Sequence, residues 1–209
     1  MGEHEQCEGI AQKLAASFEL VELGPVKYLL GVEVEIDREM NRIFISQTSY
    51  VEEILRRFHM HDCHGVATPE ATTAEIQQQG SKSSESGDLP YREMIGALQY
   101  LVSGSRPDIA HVVRRLGQFL SCYDQSHFAQ AKRVLRYLQA TKAFGLSMWV
   151  NPSAKLAFVR IEAYSDADYA NEKVDRQSVS GYVTKIDGNT ISYGSRKQGL
   201  NAQCTMEAE

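Results

Sequence analysis

Cysteine is scarce in this chain, four in 209 residues. Cys7, Cys63, Cys122 and Cys204 are widely scattered, and no two have Cys-x-x-Cys spacing. Zinc ribbons and redox dithiols are excluded, and a reduced intracellular setting, cytoplasmic or nuclear, is expected. No run approaches the roughly 20 apolar residues that cross a bilayer, so no membrane partner is expected. The start, Met1-Gly2-Glu3-His4-Glu5-Gln6, lacks the basic and apolar regions of a secretory signal. Gln6 stands at the Ser/Thr position of a myristoylation motif, which argues against lipidation. What is present is ordinary: 43% hydrophobic and 23% charged residues, at a length that suits one moderate domain or two small ones.

The net charge is -5, yet it is segregated. From Tyr91 to Arg160 ten basic residues face three acids, a surplus of seven, so the remainder carries -12. A basic middle between acidic flanks suggests a local polyanion site, and a solvated helix face is the plainer alternative.

Periodicity organises the rest. Ile10, Leu14 and Phe18 share a helix face, which Leu23-Gly24-Pro25 ends. Alternation from Val32 to Ile36 and a return from Arg42 to Gln47 predict a β-hairpin, and Ser49 is placed to cap the helix carrying Val51, Ile54, Leu55 and Phe58. Residues 70–90 include Gln77-Gln78-Gln79-Gly80-Ser81 and read as a flexible linker. Three helical patterns follow: Met94 to Val102; Ile109 to Leu120, opened by Arg106-Pro107-Asp108; and Ala131 to Leu138, starting near Ser126. Strands are predicted over 146–150 and 156–164, then a hairpin around Asp187-Gly188-Asn189; residues 144–193 are expected to form one antiparallel sheet, with Asp166 at the end of a central strand and Glu209 within reach of it. Thr205 to Glu209 reads as a helix start, and one turn is not stable alone, so a truncated domain is expected.

Two groups of residues carry chemistry. The strand ending at Tyr164 runs into Ser165-Asp166-Ala167-Asp168, where carboxylates are costly unless solvated, paired or bound to a cation. Glu207 and Glu209 arrive on the later helix start. Oxygen ligands from a strand and a helix can hold Mg²⁺, and two such ions can cleave a phosphodiester. A solvated loop beside a helix N-terminus that favours acids remains the alternative. Separately, His59-Met60-His61-Asp62-Cys63-His64 offers zinc ligands but lacks the four-ligand spacing of a structural site.

Several blocks resemble one family. Ala163-Tyr164-Ser165-Asp166-Ala167-Asp168-Tyr169-Ala170, Asp175-Arg176-Gln177-Ser178-Val179-Ser180-Gly181-Tyr182-Val183, Ser192-Tyr193-Gly194-Ser195-Arg196-Lys197-Gln198 and Met206-Glu207-Ala208-Glu209 are similar to the RNase H domain of copia-type retrotransposon Pol polyproteins. Upstream, Gly24-Pro25-Val26-Lys27-Tyr28-Leu29-Leu30-Gly31-Val32-Glu33 and Ile45-Ser46-Gln47-Thr48-Ser49-Tyr50-Val51 resemble the end of its reverse transcriptase. Ile95-Gly96-Ala97-Leu98-Gln99-Tyr100-Leu101, Arg106-Pro107-Asp108-Ile109-Ala110 and Ala131-Lys132-Arg133-Val134-Leu135-Arg136-Tyr137-Leu138 resemble the helical segment between.

The resemblance implies an α+β chain. Residues 1–69 would be the end of the reverse transcriptase palm with its β-hairpin, 70–90 the linker, 91–143 a thumb-like helical segment, and 144–209 an RNase H-like domain truncated at its C-terminus. Asp166 matches the first catalytic aspartate and Glu209 the catalytic glutamate, with Glu207 the alternative in a shifted register and Asp168 a further metal ligand. In the intact family enzyme these carboxylates hold Mg²⁺. Arg114, Arg115, Lys132, Arg133 and Arg136 would meet the phosphates of a template–primer duplex or RNA–DNA hybrid. The remaining parts of the Pol polyprotein are the implied partner. No Asp-Asp dipeptide occurs anywhere in the chain, so the polymerase metal site is missing. Too few carboxylates remain for efficient cleavage. The expectation is an inactive fragment of an RNA-copying, hybrid-degrading polyprotein. A non-catalytic binding module, a transposon relic, and a nuclease completed in trans are the rivals.

Overall fold

The computed structural model describes residues 4–21, 24–71, 89–150, 158–170 and 176–208. In chain order its elements are helix α1 (His4–Ala15), strands β1 (Tyr28–Leu29), β2 (Val32–Asp37) and β3 (Arg42–Ser46), helices α2 (Thr48–Arg57) and α3 (Tyr91–Gly104), a 3₁₀ turn (Pro107–Ile109), helices α4 (Ala110–Gly117) and α5 (Gln125–Ala140), strands β4 (Gly145–Trp149), β5 (Ile161–Asp168), β6 (Val179–Ile186) and β7 (Asn189–Lys197), and the short helix α6 (Thr205–Ala208). The fold is α+β. The linker expected over 70–90 falls largely on residues 72–88, outside the described residues.

Helices α2 to α5 form the core because each carries an apolar stripe at helical spacing. Val51, Ile54 and Leu55 of α2 meet Met94, Leu98 and Leu101 of α3, Val112 and Leu116 of α4, and Val134, Leu135 and Leu138 of α5, all buried. Full burial of each such side chain contributes about 1.5–3 kcal/mol. Tyr91 stacks on Tyr123 with ring centroids 4.7 Å apart and donates its hydroxyl to the Leu116 carbonyl at 2.7 Å. Burial pushes the Tyr91 phenol far above its ordinary range.

Two polar devices fix this layer. Asp124 caps α5, accepting from the backbone N–H groups of Ser126 (2.9 Å) and His127 (3.1 Å). Burial alone would raise the Asp124 carboxyl, but the hydrogen bonds from Ser126 and His127 outweigh it and bring the pKa to about 2. The second device is Arg106, only 1% exposed. Its guanidinium donates to the Asp108 carboxylate at 2.9 and 2.7 Å, and to the Thr141 carbonyl at 3.0 Å and hydroxyl at 2.7 Å. Tyr137 donates to the same carboxylate at 2.9 Å. Burial opposes ionisation of Asp108, but the Arg106 bonds and charge prevail and hold its pKa below the ordinary value. The Arg106-Pro107-Asp108 run is thus a buried clamp joining the α3–α4 turn to the end of α5.

The strands form two antiparallel sheets, ordered β1-β2-β3-β4 and β5-β6-β7. The expected hairpin is β2–β3, with Glu35 opposite Phe44. The expected Ser49 cap is corrected: Gln47 precedes α2 without a side-chain cap, and Glu33 of β2 accepts the Ser49 N–H at 2.7 Å instead. The second hairpin turns at Asp187 (φ 49°) and Gly188 (φ 80°), the left-handed pair that an Asp-Gly turn supplies.

One sheet assignment is also corrected. Sequence grouping puts 144–193 in one sheet, but β4 pairs with β3, with Ile43 opposite Met148 and Ile45 opposite Leu146. Gly145 makes this possible, since a Cβ there would lie 2.3 Å from the Ile45 carbonyl oxygen. A side-chain amide links the sheets: Asn189 of β7 accepts from the Trp149 N–H at 2.6 Å and donates to its carbonyl at 3.0 Å. Tyr193 of β7 donates to the Val102 carbonyl of α3 at 2.8 Å.

Candidate nucleic-acid interface and carboxylate residues

The five basic candidates occupy α4 and α5 but do not form one open face. Arg136 donates from Nε to the His64 carbonyl at 2.9 Å, and Arg133 to the Thr68 hydroxyl at 2.9 Å. Arg115 forms an ion pair with Glu70. Gln139 donates to the His61 carbonyl at 2.9 Å. Together these donors hold residues 61–70 as a strap along α5 and onto α4. The Val66 N–H donates back to the Arg136 carbonyl at 3.3 Å, and Val66 packs against the core. Gly65 permits the close approach: a Cβ there would come within 2.7 Å of the Ala140 Cβ. Lys132 lies over the Phe128 ring at 4.7 Å. Arg114 lines a cleft of about 570 Å³ between α3, α4 and β7, with Gln99, Ser103 and Ser195.

Sequence singled out His59–His64, which overlaps this stretch, as a source of zinc ligands and did not read residues 61–70 as a strap. Backbone carbonyls as partners for Arg136 and Gln139 leave no sequence signal. The His59–His64 cluster forms the beginning of the strap, and within it His61 faces the Asp62 carboxylate at 2.8 Å. His111 of α4 is held below the ordinary histidine range. Burial is the main cause, the charges of Arg114 and Arg115 add to it, and Glu70 and Asp168 oppose it.

The carboxylates are placed by strand alternation. Asp166 stands opposite Gly181, itself opposite Ser195; Asp168 stands opposite Val179, itself opposite Lys197. Registered residues share a face, so Asp166 and Asp168 do lie on the same side. The expectation that Asp166 ends a central strand is corrected. The strand runs on to Asp168, and among the described strands β5 is an edge. Asp166 lines a shallow cleft of about 290 Å³ with Pro107, Ala110, Tyr193 and Ser195, and its Oδ1 accepts from the Ala167 N–H at 2.9 Å.

Helix α6 is anchored through residues of the other face. The Gln198 amide donates to Ser180 Oγ at 2.8 Å and to the Ala208 carbonyl at 2.6 Å, and Ser180 is registered with Ala167. Tyr169 donates to the Gln203 carbonyl at 2.9 Å. Glu207 accepts the Gln203 N–H at 2.6 Å. Glu209 lies outside the described residues, as does its expected approach to Asp166. Among the described residues no three His, Cys, Asp or Glu side chains converge where a metal ion could be held. Mg²⁺ takes near-ideal octahedral oxygen coordination. Asp166 and Asp168 share one strand face, and Glu207 is engaged in a local turn.

With this geometry in place, comparison decides the family. The family model for reverse transcriptase (RNA-dependent DNA polymerase) matches residues 1–72. The Retrovirus-related Pol polyprotein from transposon TNT 1-94 of Nicotiana tabacum is 32% identical over 94% of this chain. The Retrovirus-related Pol polyprotein from transposon RE1 of Arabidopsis thaliana is 33% identical over 94% of this chain. An uncharacterized mitochondrial protein of Arabidopsis thaliana is 32% identical over 94% of this chain and 78% of its own length. The chain belongs to the copia-type retrotransposon Pol family. It corresponds to a reverse transcriptase-like region of these polyproteins. The copia-type match spans only 15% of the tobacco polyprotein and 13% of RE1. No solved structure matches the chain.

Proposed function

We propose that this copia-type segment holds nucleic acid and does not cut or copy it. Residues 1–69 are read as the end of the palm with its hairpin, 91–143 as the thumb-like helical segment, and β5 to β7 with α6 as the beginning of an RNase H-like unit. The observation that carries the proposal is the surplus of seven basic residues over residues 91–160, in a sequence with no Asp-Asp dipeptide. That surplus lies on the helical layer, where Lys132, Arg133 and Arg136 occupy the middle of α5. Phosphate contacts of this kind position a duplex without reading its sequence. The partner proposed is a template–primer duplex or RNA–DNA hybrid, together with the rest of the Pol polyprotein. Mg²⁺ belongs to the intact family enzyme in this reading.

The test pairs a binding with a cleavage measurement. A labelled RNA–DNA hybrid should bind the chain weakly, with log K falling as salt rises by about 0.9 per phosphate neutralised on duplex DNA and comparably here. The same hybrid, incubated with Mg²⁺ or Mn²⁺, should remain intact. Cleavage that disappears in Asp166→Asn would overturn the proposal and make Asp166 catalytic. Absence of binding at low salt would overturn its other half.

A further inference from the structure

We infer that residues 61–70 are a displaceable cover on the basic stripe of α5, and that a phosphodiester backbone competes with this strap for the same donors. The inference rests on the nucleic-acid reading above.

Arg133, Arg136 and Gln139 recur every three residues, so they form one stripe with donors about 4.5 Å apart along the helix axis. Each donates to a strap acceptor: Thr68 hydroxyl, His64 carbonyl and His61 carbonyl. Arg115 of α4 extends the row to the Glu70 carboxylate. An extended chain presenting a row of oxygen acceptors is what a nucleic-acid strand also presents. The strap acceptors for Arg133 and Arg136 are uncharged, so both guanidiniums keep their positive charge beneath it. The Arg133 Nε is buried without a hydrogen-bond partner. Phosphate is a stronger acceptor for guanidinium than a carbonyl or hydroxyl, because the bond is charge-assisted on both sides.

Apart from these bonds the strap is held by the Val66 N–H bond to the Arg136 carbonyl, the close seat of Gly65 on Ala140, half-buried Cys63 and the 3.9 Å contact of Glu70 with His111. His61, His64, Gly65 and Thr68 are exposed, and Val66 is the side chain that reaches the core. The three bonds to α5 are themselves at the surface. A competitor therefore meets surface bonds whose acceptors it can replace one at a time. In the uncovered state Arg115, Arg133 and Arg136 are all available, whereas under the strap Arg115 is neutralised by Glu70.

The experiment uses the full chain and a fluorescent 20-base-pair RNA–DNA hybrid at low salt. Compared are the wild type, Thr68→Val/Glu70→Ala, and that pair combined with Arg133→Ala and Arg136→Ala. Loosening the strap should tighten binding about three- to tenfold, the effect of removing one or two surface contacts, and steepen the salt dependence. Removing the two arginines as well should cancel the gain. In the wild type, added hybrid should speed hydrogen exchange at the Val66 amide, while amides of α3 stay protected. Unchanged circular dichroism and thermal midpoint would confirm that the variants fold. If the wild type binds but loosening the strap leaves affinity unchanged or lower, and Val66 stays protected, the cover is refuted while the nucleic-acid reading stands. If no form binds the hybrid, both are refuted.

Discussion

The helical layer and the second sheet divide the chain into a region that is buried and a region that is not. Twenty apolar side chains of α2 to α5 and their adjoining turns form the buried cluster. In β5, β6 and β7 the buried apolar residue is Val179, while Ile161, Tyr164, Tyr182 and Ile191 are all more than 40% exposed. Stability is therefore concentrated in the helices. The β5–β7 sheet keeps its shape by backbone ladder bonds and is moored at a few points such as Tyr193 and Asn189. Basic stripe and strap belong to the stable half; Asp166 and Asp168 belong to the other.

The contrast can be broken first at its strongest point. Arg106→Met should cost about 3–5 kcal/mol, because it leaves the half-buried Asp108 carboxylate without its charge partner. Urea denaturation followed by circular dichroism measures this, and a loss below about 1 kcal/mol would show that the clamp is dispensable. Next, Leu98→Ala in the core should cost about 2–5 kcal/mol, whereas Ile161→Ala, 68% exposed on β5, should stay within about 0.5 kcal/mol. Equal effects would erase the distinction between the two regions.

Smaller effects sharpen it. Asp124→Ala should cost about 1 kcal/mol at neutral pH through loss of the α5 cap. The folded pKa of Asp124, about 2, lies below its unfolded value. Its contribution is therefore fully present above about pH 4 and is lost as pH falls through the folded value. The stability gap between wild type and variant should narrow over that window. Of similar size, Tyr193→Phe should cost about 0.5–1.5 kcal/mol by removing the hydroxyl bond to Val102. That loss should speed proteolysis of the second sheet before it affects the helices.

The helices and the two hairpins were legible because their signals are local. Apolar spacing marks α3 and α5, Ser126 marks the start of α5, and Asp187-Gly188 fits the left-handed turn. The partner of β4 was not legible, since Leu146 and Met148 suit either sheet and nothing nearby in sequence selects Ile45 and Ile43. The pairing of Asp166 and Asp168 on one face follows from alternation alone. What faces them does not, because it depends on how Tyr193 and α4 pack. Basic residues were readable as a charge surplus, but their acceptors at His64, Thr68 and Glu70 lie 45 to 72 residues away, and one of them is a backbone carbonyl. Glu33 illustrates the same limit, capping a helix from a neighbouring strand.

Strand β4 also sets a clock. Arg42 pairs with Trp149, and more than a hundred residues separate them. At a synthesis rate of about 5–20 residues per second, the β2–β3 hairpin waits about 5–20 s for its next strand. During that interval the edge of β3 is an unpaired strand beside Ile43 and Ile45, open to pairing with any neighbouring nascent chain. The α3–α5 helices are made within the same interval and fold on local contacts, far faster than translation proceeds. They deliver residues 145–149 to that edge already tethered to a folded support, so pairing can follow as soon as those five residues emerge and adds little to the wait.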